Sequence, residues 1–233
     1  MPAARIVLVH GAATTASVWS GVCRSLSGLR PDLSVVAPQR AYSGDLGVEV
    51  AALAELCDGA VVAGVSGGAT LGLALLAAGV PVRGAVLHEP AVGALVPGLL
   101  ADVARKYAAD GVAGFGSALY GPGWDLSMAP ADPAAVERDF AMFRAFEPVV
   151  GAIAASPVTA SGRALTTVGA LSPPARHEAA RVLRERAGLG SRELAGCGHA
   201  VHLDKSDVFA AVIVELVESV ESVESVESVE GVV

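Results

Sequence analysis

The chain is 233 residues long, 53% hydrophobic, 17% charged and 4% aromatic, which suits a globular protein with a sizeable core of small aliphatic side chains. Its formal net charge of −8 sits largely at one end: Glu215 to Val233 hold six Glu and no Lys or Arg, leaving −2 for the remainder. No basic patch argues for nucleic acid, and the acidity itself points to no substrate.

Short β-rich runs alternate with helical patterns from the start, the signature of βαβ units on a mostly parallel sheet with helices on both faces. Arg5 to Val9 reads as the first strand, followed by a helix from about Ser17 to Leu26. Leu33 to Ala37 is the second strand, ended by Pro38, with a helix from about Gly47 to Leu56. Ala60 to Val65 and Gly68 to Ala78 form the third strand and its helix, and Val82 to Leu87 is the fourth strand, closed by His88-Glu89-Pro90. The alternation then breaks from about Ala91 to Ser161, where helical stretches (Leu99 to Asp110, Pro133 to Phe146) and turns such as Gly121-Pro122-Gly123 suggest a cap over the sheet. It resumes with strand Ala164 to Val168, helix Pro174 to Ala187, strand Ser191 to Leu194 and a last helix over about Ser206 to Val217. The expected domains are therefore a core of residues 1–90 and 162–217, a cap of 91–161, and a low-complexity tail of 218–233.

In that tail Val-Glu-Ser recurs every three residues. Such a step turns about 300° on an α-helix, so the valines wind around the axis rather than forming one stripe. An extension of the last helix that frays is expected, ahead of a partner-binding strand.

Gly59 to Val82 carries no charge and is long enough to span a bilayer. Gly64, Gly67, Gly68, Gly72 and Gly79 divide it instead into a strand, a tight turn and a helix, and buried α/β elements read as continuous apolar runs for the same reason membrane spans do. The apolar run Ile6 to Val9 is too short for a signal-peptide core. Cys23, Cys57 and Cys197, odd in number and widely spaced, argue against a disulfide framework or a metal site and for a reducing compartment. A cytoplasmic protein, away from membranes, is expected; its oligomeric state is not legible.

Three segments converge if the sheet is parallel, because loops after strand C-termini share one edge. Gly64-Val65-Ser66-Gly67-Gly68 is a G-x-S-x-G between a strand and a helix, a context that lifts a serine hydroxyl clear of the backbone at a helix N-terminus. No Lys-Ser/Thr follows, which speaks against a phosphate-binding loop. His10-Gly11-Ala12-Ala13 follows the first strand; acyl transfer needs N–H donors aimed at a developing oxyanion, and the amides of Gly67 and Ala12 are the expected pair. His10 itself is read as bracing the loop. Gly198-His199 follows the last strand and offers an imidazole base, preferred over His202 because it comes directly after the glycine turn. His88 flanks the same edge and His177 lies on an expected surface helix.

On Leu8-Val9-His10-Gly11, the turn around Ser66, and Gly198-His199, in that order, the chain to about Val217 resembles the α/β-hydrolase family, its single-domain esterase and lactonase-like branch. The resemblance implies Ser66 as nucleophile, His199 as base, and a cofactor-free acyl-enzyme reaction on an ester, lactone or thioester of a small molecule. The family usually carries its acid after the strand read as Ala164–Val168, yet Gly169-Ala170-Leu171-Ser172-Pro173 has no carboxylate. Some members place it at the end of the strand following the nucleophile helix, and Glu89 fits there; Asp204, or a dyad without an acid, stays open. Cap aromatics including Trp124 and Phe143, together with His88, are candidate substrate contacts, with a lean toward an apolar substrate. Two other classes stay open: a non-hydrolytic cyclase, acyl transferase or lyase on the same residues, and a binding module with a vestigial triad.

Overall fold

The computed structural model describes residues 4–230; the last three residues of the Val-Glu-Ser tail lie outside the described residues. Six strands, β1 (Arg5–Val9), β2 (Ser34–Val36), β3 (Val61–Val65), β4 (Gly84–His88), β5 (Ala164–Gly169) and β6 (Gly190–Leu194), form one sheet in the order β2-β1-β3-β4-β5-β6. Every neighbouring pair is parallel. Parallel strands need crossovers, and the helices that supply them cover both faces.

The two-residue period of a strand decides which side chain faces which layer. Val7, Val9, Val62 and Leu87 pack with α2 (Leu46–Cys57), α3 (Gly67–Ala77) and α8 (Pro174–Ala187). Ile6, Leu8, Ala63 and Val86 pack on the other side with α1 (Ser20–Leu29) and α10 (Ser206–Glu230). Asp45 caps α2 by accepting the Val48 N–H at 3.0 Å, and Gly188 ends α8 in the left-handed region at φ 72°. The charge-free run Gly59–Val82 resolves into β3 and α3, with ten of the eleven α3 residues buried. Among the described residues no helix is long and apolar enough to cross a membrane.

Between β4 and β5 the chain leaves the sheet and builds the helical cap from α4 (Ala101–Tyr120), α5 (Pro133–Arg144), α6 (Val150–Ala155) and α7 (Pro157–Ala160). The helix expected to end at Asp110 does meet a break there: Gly111 has φ 59° and ψ −145°. Helix resumes beyond it as far as Tyr120, a segment the pattern did not disclose because its glycines blur the apolar face. The second strand is three residues long instead of the five expected, as befits a sheet edge. After the short α9 (Val201–Asp204), α10 runs past Val217 to Glu230. Val217 and Val220 are buried while Val223 is 44% exposed, the drift expected of a three-residue repeat on a 3.6-residue helix. Glu221 anchors this stretch to Arg30 of the loop after α1 at 3.2 Å.

The crossing of β1, β3 and α3 is the tightest point of the fold. A Cβ on Gly64 would lie 2.5 Å from the Gly68 carbonyl carbon, and one on Gly68 would overlap the Val9 carbonyl oxygen. Backbone cannot yield as a flexible side chain can. Gly68→Ala is therefore expected to cost about 3 kcal/mol or more, read as a lowered denaturant midpoint; a midpoint within error of wild type would show the contact to be slack.

Candidate active site

Ser66 ends β3 and opens α3 at φ 58° and ψ −122°, a conformation that costs a non-glycine residue on the order of 1–3 kcal/mol and persists only where the surroundings hold it. Its N–H donates to the His88 carbonyl at 2.9 Å, tying the turn to β4. Gly11 faces it from the loop after β1; a Cβ there would come 2.5 Å from the Tyr120 hydroxyl and 3.0 Å from Ser66 Cβ. Ala13 and Glu89 also hold positive φ, at 53° and 48°, so among the described residues three of the four non-glycine residues in that region surround this site.

Glu89 follows the last residue of β4 and is buried, as are His88 and Arg176. Its Oε2 accepts from His199 Nδ1 at 2.7 Å, while Oε1 accepts from the Gly169 N–H at 2.9 Å and the Ser172 hydroxyl at 2.5 Å. The loop that lacks a carboxylate thus supplies two donors to one carried by the neighbouring strand. Arg176 donates from Nη1 to the Glu89 carbonyl at 3.0 Å, and its Nε lies 3.6 Å from Oε2. Burial works to raise the Glu89 pKa, but the His199 hydrogen bond and the charges of His199, His88 and Arg176 outweigh it, holding the carboxyl well below the usual range. Asp204 has no hydrogen bond to His199.

With Nδ1–H bound to Glu89, His199 presents Nε2 as a lone pair, and that atom is buried with no hydrogen-bond partner among the described residues. The Ser66–His199 bond is thus not made in this structure; such bonds often tighten only with substrate present. Burial and the Arg176 charge lower the His199 pKa, and Glu89 only partly opposes them. His202 packs against Trp19 and Tyr120 and makes no hydrogen bond to a carboxylate, so the two loop histidines are told apart by Glu89.

The loop after β1 is pinned by its carbonyls. Those of His10, Ala12, Ala13 and Thr14 accept from Arg40, Tyr120, Trp124 and Tyr42 at 3.2, 2.8, 2.9 and 2.6 Å. The Gly11 carbonyl takes the Thr14 hydroxyl at 3.0 Å and His10 Nδ1 at 3.1 Å. Across a trans peptide the Ala12 N–H points the opposite way, and neither it nor the Gly67 N–H has an acceptor among the described residues. Arg40, fully buried, pairs with Glu49 of α2 at 3.3 Å and with Asp139 of α5, joining this loop to core and cap.

Phe143 lies over Gly67 and forms, with Leu100, Val103, Phe115 and Leu119, an apolar roof above Ser66. The space beneath it is about 20 Å³, room for a single water. Two expected substrate contacts fall elsewhere. Trp124 is held against Gly116 and the Ala13 carbonyl and lines no part of this cleft, because its N–H is drawn to the loop. His88 is buried beneath His199, with Nδ1 accepting the Thr167 hydroxyl at 2.9 Å and Nε2 donating to the Gly198 carbonyl at 3.1 Å, so it positions the turn that carries His199. Ser172, Arg176 and Asp139 escaped the sequence reading as site residues, since each acts through residues distant in the chain, and Tyr120 was read only as one of the cap aromatics. A serine in place of the missing carboxylate was the one local hint.

A parallel sheet with covered faces, a strained serine between strand and helix, and a carboxylate–imidazole pair at the same edge define an α/β enzyme scaffold. The sequence profile of the alpha/beta hydrolase family matches residues 6–212, and the chain belongs to that family. No curated protein matches significantly. Among solved structures the chain is similar to a lipase-esterase related protein from Clostridium acetobutylicum (11% identity, 91% of this chain and 93% of that one, TM-score 0.74). It is also similar to the enol-lactonase from Burkholderia xenovorans (19%, 93% and 92%, TM-score 0.70) and a carboxylesterase from Bacillus subtilis (15%, 92% and 84%, TM-score 0.64).

Three buried histidines, together with His199 and its buried Nε2, are expected to make the fold acid-sensitive. Burial lowers the pKa of His10 to about 3, of His88 to about 4 and of His202 to about 3, and lowers that of His199. Below pH 6.5 the unfolded chain binds protons that these folded rings refuse, so stability falls with pH by about 1.4 kcal/mol per unit for each ring. Asp139, raised by burial to about 6 against the pull of Arg40, opposes this with one proton. Denaturation midpoints are expected to be flat above pH 7 and to drop steeply from 6.5 downward; a flat profile to pH 5 would contradict this account.

Proposed function

We propose that the protein is a serine hydrolase that cleaves a carboxylic ester, lactone or thioester of a small molecule through an acyl-enzyme. Ser66 Oγ bonds to the acyl carbon as its proton passes to His199 Nε2, and the carbonyl electron pair moves onto oxygen. The Ala12 and Gly67 N–H groups receive that oxyanion, each donor being worth on the order of 3 kcal/mol. Collapse breaks the bond to the leaving alkoxide or thiolate, which takes the proton from Nε2. Water then gives a proton to Nε2 and its hydroxyl to the acyl carbon, and Ser66 regains its proton as the acid departs. Glu89 holds the Nδ1–H tautomer and stabilises the imidazolium between the two transfers.

The observation that carries this reading is the 2.7 Å contact between Glu89 and His199 Nδ1, which leaves a buried, unbonded Nε2 at the edge where Ser66 stands in a strained turn. The similar lipase-esterase related protein, enol-lactonase and carboxylesterase support the reaction class.

A fluorophosphonate probe is expected to label wild type at Ser66 and not Ser66→Ala; an unlabelled wild type would point to a binding module instead. Glu89→Gln should lower kcat on a p-nitrophenyl ester by about 10⁴ while the protein stays folded, as the imidazole adopts the wrong tautomer. Near-normal turnover would remove Glu89 from the mechanism. For wild type, kcat/KM should rise with pH through a pKa below 6.5, because the base works only when neutral and its environment disfavours the charged ring. An inflection above 6.5 would argue against His199 as that base.

A further inference from the structure

Arg176, on the first turn of α8, is the one charged side chain among the described residues in the wall of the cleft above Ser66. It also lines an adjoining cavity of about 240 Å³ that reaches His199 and is bounded by Leu99, Ala118, Pro173 and Asp102, whose exposed carboxylate is paired with Arg105. Val103 and Leu119 belong to both walls, so the guanidinium stands where the two spaces meet. Of its five N–H donors, one bonds a protein acceptor, the Glu89 carbonyl. Its Nε–Oε2 separation of 3.6 Å exceeds hydrogen-bond length, and Glu89 is already supplied by Gly169, Ser172 and His199. None of its nitrogens is among the buried atoms left without a partner, so the spare donors face the cavity, where their planar fork matches a carboxylate.

We propose that Arg176 receives a carboxylate borne by the substrate, so that the enzyme prefers acyl compounds with a short apolar body and one free carboxylate, such as half-esters of dicarboxylic acids or carboxylated lactones. The proposal rests on the acyl-transfer reading above for its reaction, and on the cleft alone for its anion site. Substrate size follows from the spaces, which lie below the range usual for drug-sized ligands. The carboxylate restores a local balance as well: with Glu89 and the substrate negative, Arg176 and the transient His199 imidazolium are their counter-ions.

The test compares the mono-p-nitrophenyl ester of glutaric acid with p-nitrophenyl pentanoate, equal in chain length and differing in the terminal group. Wild type is expected to favour the half-ester in kcat/KM by about tenfold or more, and Arg176→Met to bring the ratio near one, with Arg176→Lys between because it loses the fork. A wild type that prefers pentanoate or treats both alike overturns the proposal, as does an Arg176→Met variant that loses activity on both esters in parallel and keeps the ratio, the result of a role through Glu89 alone. Calorimetric titration with glutarate separates this from the catalytic reading. Binding by wild type, lost in Arg176→Met, supports the anion site even where Ser66 resists labelling. No binding by wild type, or equal binding by both, overturns it even where labelling succeeds. Should Arg176→Met fail to fold, the wild-type ester ratio and glutarate titration still decide.

Discussion

The buried carboxylate of Glu89 is the contact on which the site turns. A charge removed from water is tolerated only where hydrogen bonds and opposite charge replace hydration. Here the replacements come from four places: hydrogen bonds from the end of β5, the loop beyond it and the loop after β6, and the charge of Arg176 on the first turn of α8, whose Nε lies 3.6 Å from Oε2. The segments that must converge for chemistry are therefore the ones that must converge to keep this charge buried. Folding and assembly of the site become one event.

The same economy governs the loop after β1. Its carbonyls are held by Arg40, Tyr120, Trp124 and Tyr42, side chains contributed by the β2–α2 connection and the cap. The cap thus does more than roof the serine: it orients the amides that face the cleft. Asp139 reaches Arg40 from α5, and Arg40 also stacks its guanidinium on the Phe143 ring, 5.3 Å from centroid. Core, loop and roof share one buried cation.

Much of this was legible in the residues. Continuous apolar runs located β1 to β5 to within a few residues, since a strand covered on both faces has little freedom in composition, while β6, an exposed edge carrying Arg192 and Glu193, was placed by the resumed alternation of strand and helix. The elbow glycines were legible for a related reason: Gly64 and Gly68 stand where backbone meets backbone, and no other residue fits. Glu89 was found through its place in a resemblance, and the structure set its carboxylate on His199. What stayed hidden acts across long sequence separations. Arg176 looked like a charge on a surface helix, and Trp124 like a pocket aromatic. His88 is an imidazole at the right edge with both nitrogens taken by the scaffold. Hydrogen-bond partners 79 or more residues away leave no local pattern to read.

The break at Gly111 carries a mechanical consequence. In the proposed reaction the acyl group would lie beneath a roof that leaves about 20 Å³ above Ser66. α5 is fastened by the Arg40–Asp139 pair, and the second segment of α4 by the hydroxyl of Tyr120. The first segment, residues 101–110, buries only Val103 fully and ends at a glycine whose conformation interrupts the helix. That first segment meets the rest of the roof through Tyr107, whose ring lies against Phe115 and Phe140, and the glycine lets it take a direction of its own from the helix behind it.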